Sequence, residues 1–243
     1  GIMLVVLSSR LKADEIAYIV NDSASTHLLI GESLADVAAD LAADPSLMPG
    51  LERMIAVGSL PGLQSWGELV AGQPETPIAD EQMGQRMAYS SGTTGQPKGV
   101  RTPRIPGPPV QDNPGSSMFK AYYGFGEDVT YLSPAPLYHA APLGYSTAVQ
   151  SLGGAVVCMK KFTPEGFLAA IEHYKITATQ CVPTMFIRLL RLPEEERKRH
   201  DLSSLQHVIH AAAPCPVPIK HQMIEWLGPI VHEYYSGSEG NLF

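Results

Sequence analysis

From Val129 onward the chain repeats one pattern: a short apolar run, a break, then a stretch with helical spacing. The runs Val129–Leu132, Ala155–Met159, Ala178–Val182, Val208–Ala211 and Val231–Tyr235 read as strands. Between them, about Pro142–Leu152, Pro164–Tyr174, Thr184–Leu192 and Val217–Leu227 read as helices. Thr163-Pro164-Glu165 supplies a cap, a proline at the first helical position and an acid in the first turn. The charged run Glu194–His200 reads as a solvated helical turn. Strands alternating with helices of this length argue for βαβ units and a parallel sheet covered on both faces.

The first part of the chain is less regular. Ile2–Leu7 reads as a buried strand, Ala13–Val20 as an amphipathic helix and His27–Ile30 as a strand. Ser33 is expected to cap a helix running to about Ala43, and Met54–Val57 is a further strand. Gly58–Asp80 is broken by Gly, Pro and polar residues and reads as surface connection. Gln85–Tyr89 is a strand, Arg101–Pro114 a proline-rich loop, and a helix resumes near Ser116. The expected fold is α/β, with largely parallel sheets flanked by helices. A first subdomain is expected over 1–84 and a second, carrying the motifs below, over 85–243.

Composition narrows the class. In 243 residues, 44% hydrophobic against 17% charged content excludes a disordered chain. Seventeen basic against 24 acidic residues give −7, which argues against a nucleic-acid partner. Cys158, Cys181 and Cys215 form no C-x-x-C pair, so neither a disulfide framework nor a zinc ribbon is expected. Reduced thiols in a cytoplasmic protein are the plain reading. His207 and His210 are the closest histidine pair, but no Cys or carboxylate cluster joins them to make a metal site. No apolar run reaches the ~20 residues that span a bilayer, and Arg10 follows the opening apolar run instead of preceding it. A chain that begins with Gly1 inside a strand looks like a segment of something longer.

The stretch Tyr89-Ser90-Ser91-Gly92-Thr93-Thr94-Gly95-Gln96-Pro97-Lys98-Gly99-Val100 sets glycines and hydroxyls ahead of one lysine, directly after a strand. Glycine permits positive φ and close backbone approach, so successive N–H groups can turn inward as an anion nest. Hydroxyls add donors, and Lys98 adds a mobile positive charge. This suits a polyphosphate. An exposed Gly/Ser/Thr linker is the other reading, but a linker has no need of Pro-Lys-Gly at a fixed distance. The stretch is not a Walker loop, because Pro97 precedes the lysine and Gly99 follows it.

Three more segments follow strands, where open α/β sheets bind ligands. Pro134–Pro142 holds Tyr138 and His139 between prolines; His139 is either a structural residue or one that meets a carboxylate substrate. Ala211-Ala212-Ala213-Pro214 carries nothing larger than methyl before the proline, suited to tight packing or to a wall for a flat base. Tyr234-Tyr235-Ser236-Gly237-Ser238-Glu239-Gly240 offers aromatics, hydroxyls and an acid; Glu239 is either solvated or a ligand for Mg²⁺.

Together these segments resemble the adenylate-forming superfamily of acyl-CoA synthetases, luciferases and peptide-synthetase adenylation domains, in order from about Arg10 to Phe243. The phosphate loop matches the family signature at every position. The last segment is similar to the family's Tyr-Gly-x-Thr-Glu, with Ser236 in place of Gly and Ser238 in place of Thr. The resemblance implies a partial large N-terminal domain that binds ATP, Mg²⁺ and coenzyme A. It implies that Ser91, Gly92, Thr93, Thr94 and Gly95, with Lys98, cradle the β- and γ-phosphates. Tyr235 would stack on adenine beside Ala211, Ala212, Ala213 and Pro214, within the turn Ser236–Gly237. Ser238 would contact the α-phosphate, Glu239 would coordinate Mg²⁺, and His139 would line the carboxylate and gate the acyl pocket.

The implied reaction joins a carboxylic acid to AMP and then to a thiol. Peptide-synthetase domains place an Asp beside the Tyr138-His139 region, whereas Ala140 and Ala141 stand here. Leu143–Val149 and Thr179–Met185 are apolar or neutral, which favours a hydrophobic acid, fatty or aromatic, over an amino acid. The rival expectations are a non-catalytic nucleotide- or acyl-binding module and an amino-acid adenylation domain. The family's ribose-binding Asp, hinge and C-terminal Lys have no counterpart before Phe243, so this polypeptide alone is not expected to complete a turnover.

Overall fold

The computed structural model describes residues 1–90, 96–101, 107 and 114–237. Two compact units divide the chain, Gly1–Pro109 and Val110–Phe243. The division falls beyond residue 84 because Gln85–Ser90 pairs with the first strand of the chain and Lys98–Arg101 pairs with Gln85–Ser90.

The second unit holds the regular alternation. Strands β7 (Thr130–Ser133), β8 (Ala155–Cys158), β9 (Ala178–Cys181), β10 (His207–His210) and β11 (Val231–Glu233) form one sheet in the order β11-β10-β9-β7-β8, every pair parallel. Helices α4 (Pro114–Tyr123) and α5 (Ala140–Ser151) supply one side of the core; α6 (Pro164–Tyr174), α7 (Pro183–Leu190) and α9 (Val217–Leu227) supply the other. The period of two decides which residue serves which face. Tyr131 and Ile209 join the cluster of Phe119, Tyr145 and Val149, while Leu132 and Val208 join that of Phe167, Ile171, Phe186 and Met223. All four residues of β9 are buried, as expected of a central strand covered on both sides. The cap expected for α6 is present: Thr163 Oγ1 accepts from the Gly166 N–H at 3.1 Å. The charged run holds a short helix, α8 (Glu194–Lys198).

The first unit has two smaller sheets. β2 (His27–Gly31), β3 (Arg53–Val57) and β4 (Gln64–Ser65) are parallel neighbours. Helices α1 (Ala13–Asp22) and α2 (Ala35–Ala43) pack on them through Ile16, Val20, Leu28, Ile30, Leu41 and Ala56. The other sheet has the order β1-β5-β6, from Met3–Val6, Gln85–Ser90 and Lys98–Arg101. Here β5 runs parallel to β1 but antiparallel to β6, so β5 and β6 are the arms of a hairpin.

Several local expectations are corrected. β1 is an edge strand whose Leu4 is 48% exposed, not a buried one. Ser33 caps no helix: Glu32–Leu34 forms a 3₁₀ turn, and α2 begins at Ala35. The stretch taken as surface connection holds β4 and a short helix, α3 (Trp66–Val70), with a capping box of Ser65 and Glu68. Both elements are too short to show periodicity. No helix among the described residues is long and apolar enough to cross a membrane.

Candidate functional site

The carboxyl edge of the five-stranded sheet carries three of the four segments singled out in the sequence. Pro134–His139 follows β7, Ala211–Pro214 follows β10, and Tyr234–Gly237 follows β11. β10 and β11 are in register, His210 opposite Glu233, so Ala211 and Tyr234 leave neighbouring strands at the same level. Tyr234 N–H donates to the His210 carbonyl at 3.2 Å, which extends that pairing past the strand end. The chain passes from β7 outward to β8 and then returns to the other side of β7 with β9. Such a reversal leaves a crevice at the strand ends, where open α/β sheets bind ligands.

His139 occupies the N-cap position of α5 and is exposed; its ring lies 4.4 Å from that of Tyr138. Ala211 is buried, whereas Ala212, Ala213 and Pro214 are exposed. Ala212 sits at φ 74°, a left-handed conformation uncommon for a residue with a Cβ. That strain turns the backbone sharply away from the strand end. The two tyrosines after β11 divide as the pleat requires. Tyr234 packs toward Tyr145 at 6.1 Å, and burial pushes its hydroxyl up to about 12. Tyr235 is 72% exposed. Ser236 is exposed and donates to its neighbour's carbonyl, that of Gly237, at 3.3 Å.

The fourth segment belongs to the other unit and another sheet. Lys98 is exposed at the start of β6, directly opposite Ser90 at the end of β5. Ser91, Gly92, Thr93, Thr94 and Gly95, together with Ser238 and Glu239, lie outside the described residues.

Sequence inspection did not single out what lies beneath the edge. His210 has no solvent exposure, and neither ring nitrogen has a hydrogen-bond partner among the described residues. Its ring meets Phe186 edge-on at 5.2 Å, and Glu233 Oε1 lies 3.9 Å from Nδ1. Lys220 on α9 donates to the other oxygen of Glu233, which holds that carboxyl below the usual range. The expected neighbour of His210, His207, points to the opposite face because three positions separate them on a strand. His207 instead pairs with His232, Nδ1 to Nε2 at 3.2 Å, beside Tyr123 and Phe125. No local sequence signal marks these cross-strand meetings.

Burial holds His207, His210 and His232 below the ordinary imidazole value of 6.5, and His207 is lowered further by His232. The folded chain therefore binds fewer of these protons than the unfolded chain does. The stability they contribute is complete above pH 6.5 and is lost as pH falls through the folded values. A urea midpoint that declines between pH 7 and pH 5 is expected, the unfolding free energy falling by at most about 1.4 kcal/mol per pH unit for each responding histidine. A flat midpoint over that range contradicts the burial of these rings.

The family profile for AMP-binding enzymes matches residues 1–242. Over 234 residues the chain is 30% identical to the medium/long-chain-fatty-acid–CoA ligase FadD8 of Mycobacterium tuberculosis, covering 92% of this chain and 39% of that protein. It is 28% identical over 249 residues to a 4-hydroxybenzoate–CoA/benzoate–CoA ligase of Rhodopseudomonas palustris, covering 98% and 43%. Among solved structures, the amide bond synthetase McbA of Marinactinospora thermotolerans superposes with a TM-score of 0.78 at 23% identity, over 97% of this chain and 45% of that one. The N-terminal domain of FACL13 from Mycobacterium tuberculosis gives 0.76 at 20% identity, over 97% and 56%. These two likenesses concern the fold. The chain spans about two-fifths of the length of the curated relatives it matches.

Proposed function

This chain belongs to the AMP-binding enzyme family, and we propose that it provides the ATP- and acid-binding part of an enzyme that activates a carboxylic acid as an acyl-adenylate and passes the acyl group to coenzyme A. The observation that carries this reading is the pairing of two strand ends. Ala211 and Tyr234 follow the in-register pair His210 and Glu233, and the residues after them, Ala212–Pro214 and Tyr235, are exposed. Parallel strands lie about 4.8 Å apart, so the ends of these two strands offer an aromatic residue and a run of small side chains on adjacent segments. That suits a flat base, which stacks on the ring and reaches backbone groups without meeting larger side chains.

Bound ATP supplies an electrophilic α-phosphorus and a pyrophosphate leaving group. The chain's own groups orient and neutralise it. Tyr235 and Ala211–Pro214 would hold the adenine, with Ser236 and Gly237 forming the turn beside it. His139, exposed at the N-cap of α5, would meet the carboxylate; the positive end of that helix favours the same charge. Lys98 and the residues Ser91–Gly95 would bind the β- and γ-phosphates, and Ser238 the α-phosphate. Glu239, the expected holder of Mg²⁺, lies outside the described residues; the ion, held there, would neutralise phosphate charge.

The acid is proposed to be hydrophobic. Ala140 and Ala141 follow His139 with no carboxylate to receive an amino group. Relatives named as fatty-acyl– and benzoate–CoA ligases support the same choice. Acyl-sulfamoyl adenosines, stable mimics of the adenylate, test both levels by calorimetry. Octanoyl and benzoyl mimics are expected to bind the chain at least about tenfold more tightly than an alanyl mimic. Preference for the alanyl compound would favour amino-acid adenylation. Failure of all three to bind would remove the nucleotide site.

A further inference from the structure

Helix α1 reaches both roots of the phosphate-loop hairpin. Tyr18 Oη donates to the Pro97 carbonyl at 3.2 Å, directly before β6 begins. Tyr89 Oη, one residue before the end of β5, donates to Asp22 Oδ2 at 2.6 Å. Tyr18 and Asp22 are four positions apart on α1, so one helix face presents both groups. Between these two anchors run the residues assigned to the β- and γ-phosphates.

The third contact is steric. Tyr89 pairs across the hairpin with Gly99; a Cβ on Gly99 would collide with Met87 Cε and stand 3.0 Å from the Tyr89 ring carbon Cζ. Glycine at that position leaves room for both side chains. Asp22 accepts a hydrogen bond from the Tyr89 hydroxyl, which keeps its proton.

We propose that Tyr18, Asp22 and Tyr89 form a clasp by which α1 presets the separation and orientation of the two ends of the phosphate loop. They are positioning residues for the polyphosphate and do not contact it. The inference rests on the reading of the loop as the β,γ-phosphate cradle. Tying both strands to one helix fixes where Ser90 and Lys98 stand, so the tether appears as affinity.

Tyr18→Phe and Tyr89→Phe each remove one donor hydroxyl, and so one hydrogen bond, and keep the shape of the side chain. Calorimetry with ATP, inorganic pyrophosphate and AMP on the wild-type chain and both variants separates the possible roles. ATP and pyrophosphate are expected to bind about threefold to tenfold more weakly to each variant, with AMP unchanged and the thermal midpoint within a few degrees. A Tyr18→Phe/Tyr89→Phe chain is expected to lose less than the product of the two factors, because either bond limits the same hairpin. Equal weakening for AMP and ATP, or no weakening, overturns the clasp. A wild-type chain that binds AMP but no ATP or pyrophosphate overturns the reading of the loop itself, and the clasp with it.

Discussion

Phe186→Ala is expected to lower the unfolding free energy of the second unit by about 3–5 kcal/mol. Phe186 has no solvent exposure and lies on α7 within the cluster of Phe167, Leu168, Ile171, Leu189, Val208 and Met223. The void these residues leave is only about 10 Å³, so the site is already filled. Removing a benzyl group loses its transfer energy and opens a cavity that neighbours on a sheet and two helices cannot collapse to fill. Domains of this size are stable by about 5–15 kcal/mol, so the loss is a large fraction of the whole. The His210 ring also loses the aromatic edge it meets at 5.2 Å, which opens the strand end beneath Ala211–Pro214. Denaturant midpoints measure the effect, with Phe186→Leu as the smaller perturbation. A loss below about 1 kcal/mol would show that this core repacks freely.

On the proposed function, Lys98→Ala is expected to slow adenylate formation by about 10²–10³ in an active enzyme containing this domain, with little effect on folding. Lys98 is exposed at the first position of β6 and opposite Ser90, where the hairpin closes. Exposed strand positions of this kind change stability by about 0.5 kcal/mol or less when truncated. Charge aimed at a departing pyrophosphate is worth far more, because it acts where negative charge accumulates. ATP–pyrophosphate exchange reads the step directly, and thermal melting serves as the control. Lys98→Arg is expected to recover only part of the rate, since a planar fork replaces a compact point charge. Wild-type exchange in Lys98→Ala would remove this residue from the phosphate site.

How much of the chain was legible in advance varied with the range of the interactions. The five strands and the main helices of the second unit were readable because periodicity and proline or glycine breaks are local signals. The Thr163 cap was readable for the same reason, since donor and acceptor are three residues apart. β4 and α3 escaped notice because neither is long enough to display a period. The hairpin partner β6 was missed because Lys98–Arg101 carries little apolar patterning.

The sheet to which each strand belongs was not legible. β5 looks like any buried strand feeding a loop, yet it joins β1 and β6 and not the five-stranded sheet. The histidine pairing was also hidden, because His207 meets His232 only after β10 and β11 are laid side by side. The linkages of Lys220 to Glu233 and of α1 to both roots of the loop join residues that no motif connects.

Local chain chemistry therefore specified an α/β chain, its order of elements, and the signature and strand-end segments that place it among the AMP-binding enzymes. Glycine freedom, capping and the periods of helix and strand act over a few residues, and they leave their mark in the linear order. Tertiary structure alone decided which strands share a sheet, which segments stand level at one edge, and what holds the roots of the phosphate loop. Those outcomes depend on contacts between residues far apart in the chain, whose energies exist only once the core has closed around them.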